Sequence, residues 1–294
     1  MTKKKPTFIA YHGDATLKKR FVAEIEKHEE ADAIVQGTYG VENGHWKGCA
    51  VGCSLRSLAI LNGEELKTSY NNHKSYEKLI GVPMVLAKLE DRIFEGLPVA
   101  EAKKWPAQFA SAIPVGADLS LVWQGLAVWL LVDKEHGVIK FANGRKDIID
   151  AITNVAEAYS EQIDGSTISL SRWQKLRAAS SAAASAADTA AFAAADTAAA
   201  SSAVYAASSA DVAAFAADAA IAAFAADAAF AADAAVYAAA DTDAFAFAAD
   251  AAAFAVSFAV AFSAAASTIA SSAARQSFYI QISKKLIQLM RESK

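Results

Sequence analysis

Cys49 is the residue in this sequence whose type and position most directly suggest chemistry. It opens an apolar segment that the sequence predicts to be a helix ending at Leu61. A helix N-terminus lowers the pKa of a thiol, and a thiolate next to a histidine is a nucleophile. One hypothesis is therefore a cysteine-dependent hydrolase or transferase in which Cys49 is the nucleophile and His73, His12 or His45 is the base.

Two other interpretations compete for the same cysteine. His45, Cys49 and Cys53 are spaced by four residues, as metal ligands on one helix face would be, but a zinc site normally needs a fourth ligand and a more familiar spacing. Unreactive cysteines are among the most buried residues in proteins. We therefore expect no metal and no cofactor, and a purely structural thiol stays an alternative to catalysis.

The segment before Cys49 is rich in glycine, with four glycines between residues 37 and 48. A glycine loop that enters a helix leaves free backbone amides pointing at one spot, which favours an anion. The spacing is not that of a phosphate-binding or dinucleotide-binding fingerprint. We predict that the segment Gly37 to Arg56 binds a partner or a small anionic ligand, unless the loop is only structural. The candidate ligand-binding residues are Tyr39, Gly44, Trp46, Lys47, Gly48 and Arg56.

The elements that must position these residues are predicted to be helices. Asp14 is a candidate N-cap for the first of them, and Pro106 is expected to kink or restart the helix that contains it. Residues 37–48 are expected to be a loop and 137–141 a brief extended link. The predicted helices begin near residue 15 and then cover residues 49–61, 75–79, 83–94, 99–113, 119–132 and 147–159.

The C-terminal part of the chain is dominated by alanine. Between Ala178 and Ala274, 54 of the 97 residues are alanine, and this segment contains no glycine, proline, lysine, arginine or glutamate. Alanine has the highest intrinsic helix propensity, and its small side chain lets helix axes approach closely. We predict an all-α protein with an N-terminal helical domain at 1–170 and an alanine-rich helical bundle at 171–294, whose packing favours a homo-oligomer.

Two questions about the alanine-rich segment stay open at the level of sequence. It can form one long rod or about three antiparallel helices, since serine pairs along it provide candidate caps. Residues 251–274 carry no charge and are long enough to cross a bilayer. Alanine and serine contribute little to membrane insertion, so a membrane-active protein is a third hypothesis behind the other two.

Whole-chain properties narrow the function classes. The formal net charge is −4, with no basic patch of the kind that nucleic acid requires, so we expect no nucleic-acid partner. The lysines near residue 4 are not followed by the apolar core of a signal peptide, and the chain has two cysteines. These features favour the cytoplasm.

Several short motifs carry a resemblance to known sequences. They are Tyr11 to Asp14 (YHGD), Gly48 to Cys53 (GCAVGC), Leu86 to Pro98 (LAKLEDRIFEGLP) and Ala112 to Asp118 (AIPVGAD). With the aromatic-studded alanine tail that follows, the chain resembles a group of bacterial and phage proteins that have no known activity. The resemblance implies no catalytic or binding residue. It supports treating residues 48–53 as one unit.

Overall fold

The computed structural model describes residues 8–63 without 44, residues 71–182 without 143, 170, 177 and 181, and residues 272–294. The described residues are mostly helical, so the predicted all-α class is confirmed. In the described part of the chain, no helix combines the length and the apolar character needed to cross a membrane. The choice between rod and bundle and nearly all of the 251–274 segment lie outside the described residues.

The chain divides into two compact units. Unit 1 comprises Met1–Trp123 together with Gln276–Lys294, and unit 2 comprises Gln124–Arg275. This division falls well before residue 170, where the sequence analysis places its boundary. It also assigns Gln276–Lys294 to unit 1, whereas the sequence prediction places these residues in the alanine-rich bundle at 171–294.

Among the described residues, unit 1 contains six α-helices and one small β-hairpin. Its elements are α1 (Ala15–Glu30), β1 (Val41–Asn43), β2 (His45–Lys47), α2 (Ala50–Leu61), α3 (Ser75–Ile80), α4 (Met84–Gly96), α5 (Val99–Ala112) and the C-terminal helix α8 (Ser272–Glu292). Helix α6 (Val122–Val132) begins at the boundary, and α7 (Lys146–Ile163) belongs to unit 2.

The helix ends follow the capping residues that the sequence provides. The side chain of Asp14 accepts hydrogen bonds from the amides of Thr16 and Leu17, at 2.7 and 3.1 Å, and so satisfies two free donors at the start of α1. Gly81 ends α3 in the left-handed conformation, at φ 65°. Helix α5 continues through Pro106 without a restart.

Two short segments differ from the sequence prediction. Residues 41–47 were expected to be loop, but β1 and β2 pair antiparallel with Val41 opposite Lys47. Residues 137–141 were expected to be extended, but Val138–Phe141 forms a turn of 3₁₀-helix. Such short segments have little periodicity of their own, so turn chemistry decides them.

The core of unit 1 lies among α1, α2, α4 and α5. Helix α8 meets the end of α4, where a Cβ at Gly96 would lie 2.3 Å from the Tyr279 ring. Trp105 and Phe109 of α5 are fully buried, with ring centroids 5.8 Å apart. Helix α8 buries one stripe of side chains, namely Tyr279, Ile282, Leu286 and Met290. In unit 2, α7 buries Ile148, Ile152, Val155 and Tyr159, and the Tyr159 ring packs against Trp173.

A strained left-handed turn joins the first extended residues to α1. Tyr11 and His12 have φ values of 54° and 53°, a conformation that is costly for residues other than glycine. Two side-chain contacts hold the turn. The Tyr11 hydroxyl donates to the carbonyl oxygen of Ala110 at 2.6 Å, and His12 Nε2 donates to the carbonyl oxygen of Lys78 at 3.0 Å.

Replacement of Gly81 by alanine should destabilise unit 1 far more than the same change at Gly13. Both glycines have positive φ, so the left-handed backbone should lower the free energy of unfolding of each alanine variant by roughly 1–2 kcal/mol. A Cβ at Gly81 would also lie 2.0 Å from the carbonyl oxygen of Ile9, whereas a Cβ at Gly13 meets no atom within 4 Å. Urea denaturation of Gly81→Ala and Gly13→Ala measures the difference, and equal losses of unfolding free energy would contradict this packing.

Candidate functional site

The glycine-rich segment is fastened to helix α4. The side-chain amide of Gln36 donates to the carbonyl oxygens of Phe94 and Leu97 at 2.7 and 3.0 Å, where α4 ends. The backbone amide of Gly37 donates to the carboxylate of Glu95, with both oxygens within 3.1 Å. These bonds fix the start of a segment that its glycines alone would leave pliable.

The first turn of α2 is covered by this same backbone. The Cys49 amide donates to the carbonyl oxygen of Thr38 at 2.7 Å. A Cβ at Gly52 would lie only 1.7 Å from the carbonyl oxygen of Tyr39, and one at Gly48 would lie 2.6 Å from it. The absence of side chains at Gly48 and Gly52 therefore lets the backbone of Tyr39 pack against the start of α2. The Tyr39 backbone lies where the predicted anion would have to bind, so the geometry does not support an anion pocket at this helix end.

The Cys49 thiol is used inside the fold. It is the N-cap of α2, where its sulfur accepts a hydrogen bond from the Gly52 amide at 3.4 Å, and the residue is 1% exposed. Burial raises the pKa of the thiol, and the nearby negative charge of Asp91 raises it further. Cys53, one turn later, is also buried, and burial raises the pKa of its thiol too. In both residues burial disfavours the thiolate, which is the reactive form of a cysteine.

Asp91 of α4 links several of the candidate residues. Its Oδ2 accepts hydrogen bonds from the Tyr39 hydroxyl at 3.0 Å and from His73 Nε2 at 3.3 Å, and its charge acts on Cys49. Asp91 therefore affects both members of the predicted pair, His73 through a hydrogen bond and Cys49 through its charge. The third candidate, His12, is instead bonded to the Lys78 carbonyl.

Glu90, next to Asp91, is fully buried in the core. The Tyr76 hydroxyl donates to its Oε2 at 2.7 Å, and the Ser54 hydroxyl lies 3.5 Å from its Oε1. Desolvation raises the pKa of the carboxyl to about 8, although these hydrogen bonds oppose the shift. Glu90 is therefore mostly an uncharged carboxylic acid at neutral pH.

The remaining candidate ligand residues are divided between core and surface. Trp46 is 8% exposed. The His28 ring and the Arg56 guanidinium each lie 5.1 Å from the Trp46 ring, so this ring is already covered where a ligand would have to stack on it. Tyr39, at 41% exposure, and Lys47 lie at the surface. Gly44 lies outside the described residues.

The sequence analysis missed Glu90 and Asp91. A signal for Glu90 exists, since it falls in one helical stripe with Leu86, Ile93 and Phe94, where a surface glutamate is not expected. No local pattern points to Asp91, because its partners Tyr39 and His73 are distant in the sequence.

Within the described ranges, no group of three or more histidine, cysteine, aspartate or glutamate side chains is arranged to hold a metal ion. Comparison with known proteins gave no matching family model, no similar curated protein and no similar solved structure. The candidate site therefore rests on its own geometry.

In the folded protein, Cys49 should react with iodoacetamide roughly two orders of magnitude more slowly than in the unfolded chain. Burial removes both access and thiolate, the reactive form. Pulsed alkylation of a Cys53→Ala variant at pH 8, read by mass spectrometry, isolates Cys49, and the same variant in guanidinium gives the reference rate. Equal rates in the two states would show an accessible thiol and contradict the structural role.

Proposed function

We propose that this chain is a non-enzymatic assembly protein that associates with copies of itself and presents unit 1 as a binding surface. The Cys49 thiol and the first turn of α2 are occupied by internal contacts, which weakens the case for chemistry at these positions. Binding at exposed faces fits the structure better than catalysis.

One surface feature carries the proposal. A groove of about 850 Å³ runs between α5 and α8, and four of its thirteen lining residues are apolar. These are Leu97, Ala107, Ile280 and Ile287. An apolar groove with a polar rim is typical of a surface that receives another protein segment.

Other features support the same function. The alanine-rich segment has the small side chains that let helices pack closely, whether within one chain or between chains. Tyr39 and Lys47 are exposed, so we keep the Gly37 to Arg56 segment as a contact surface for a partner. The two cysteines are free thiols, which supports a cytoplasmic location.

A cysteine-dependent hydrolase or transferase is the second candidate. Its specific support is that Asp91 acts on Cys49 and accepts a hydrogen bond from His73. In this structure the Asp91 carboxylate raises the pKa of the Cys49 thiol. An active form would need Asp91 to move away from Cys49 and the thiol to become accessible to a substrate. Rapid alkylation of Cys49 in the folded chain, abolished by His73→Ala, would favour this candidate.

Self-association predicts a purified full chain whose mass is a multiple of 30.8 kDa. Size-exclusion chromatography with light scattering measures this mass over a range of concentrations. Covering the groove with a second copy removes apolar surface from water and so stabilises the assembled state. Because association depends on concentration, dilution should shift the population toward the single chain. A single-chain mass at every concentration would contradict the proposed function.

A further inference from the structure

The α5/α8 groove has walls of opposite charge. Glu26 of α1 and Glu101 of α5 lie on one wall, and Lys284 and Arg291 of α8 lie on the other. All four side chains are exposed, and none of them takes part in an ion pair with another described residue. Glu292 and Gln288 also line the α8 side, where Gln288 donates to Glu292 at 2.8 Å. One wall of the groove thus carries two carboxylates, and the α8 wall carries two cations together with the carboxylate of Glu292.

Helix α8 has a second face that the core of unit 1 does not bury. Its inner stripe includes Ile282 and Leu286, which are fully buried, whereas Ile280 and Ile287 point into the groove and are only half-buried. A helix with apolar residues on two faces is expected to have neighbours on both. The second neighbour of α8 must present an apolar surface and charges that match both walls.

A second copy of this chain meets both requirements. In a two-fold symmetric interface the same surface is used by both copies, so the surface must be complementary to itself. Rotation about a two-fold axis parallel to the groove brings the acidic wall of each copy to the basic wall of the other. The same operation brings the half-buried Ile280 and Ile287 of α8 in both copies to the shared interface.

We propose that a second copy of this chain docks on the α5/α8 groove through a two-fold axis, with Lys284 and Arg291 of each copy facing Glu26 and Glu101 of the other. This inference rests on the proposed function, self-association, and names the surface that performs it. Covered charges of opposite sign give such an interface its specificity and its orientation.

Charge reversal on each wall tests the pairing in the full-length chain. One variant carries Glu26→Lys with Glu101→Lys, and the other carries Lys284→Glu with Arg291→Glu. Each variant alone juxtaposes like charges, so its dissociation constant should rise at least tenfold in analytical ultracentrifugation. An equimolar mixture of the two should restore assembly, since each reversed wall then faces an oppositely charged one.

Matched controls separate this pairing from general charge effects. Glu29→Lys with Glu30→Lys on α1, and Lys74→Glu with Lys78→Glu at α3, change the net charge equally without lining the groove. These controls should assemble like the wild type, alone and mixed. Circular dichroism verifies that every variant is folded.

The outcomes distinguish the two levels of the proposal. Weakened single variants and a restored mixture support the groove interface. The groove interface is overturned if the wild type assembles and the wall variants assemble equally well. It is also overturned if the mixture of the two variants fails to assemble. In both cases self-association through another surface would stand. A wild type that stays a single chain overturns the proposed function itself.

Discussion

The buried carboxyl group of Glu90 is the contact on which the helix packing of unit 1 depends. Its side chain accepts a hydrogen bond from Tyr76 of α3 and faces Ser54 of α2, and its backbone oxygen accepts one from Trp105 of α5 at 2.9 Å. One residue of α4 therefore connects three other helices. A buried polar group is costly unless its hydrogen bonds are made, so this small network specifies how the four helices pack together.

The residues that suggest chemistry in the sequence serve packing in the fold. The backbone of Tyr39 packs against Gly48 and Gly52, and the Cys49 sulfur caps the N-terminus of α2. Tyr39 then reaches Asp91, the neighbour of Glu90. The segment is thus continuous with the buried network. For this reason our proposal concerns the exposed α5/α8 groove, where Glu26, Glu101, Lys284 and Arg291 have no ion-pair partner among the described residues.

The sequence predicted what depends on local pattern. The Asp14 cap and the helix that begins after Cys49 both follow from capping and periodicity. The hairpin at residues 41–47 was missed, although the dipeptide Asn43-Gly44 is a strong turn signal. Long-range contacts such as Tyr39 with Asp91 leave no local trace. The packing of α8 on unit 1 was equally hidden, because its amphipathic pattern fits many neighbours.

The pH dependence of stability for the wild type and Glu90→Gln tests most directly whether an uncharged Glu90 organises unit 1. Because the folded pKa of about 8 lies above the unfolded value of 4.5, the folded state retains a proton that the unfolded state loses. The free energy of unfolding of the wild type should therefore fall, relative to the variant, between about pH 4.5 and 8. The total decline is a few kcal/mol at about 1.4 kcal/mol per pKa unit. With Glu30→Gln as the exposed control, parallel curves for wild type and Glu90→Gln would contradict the account.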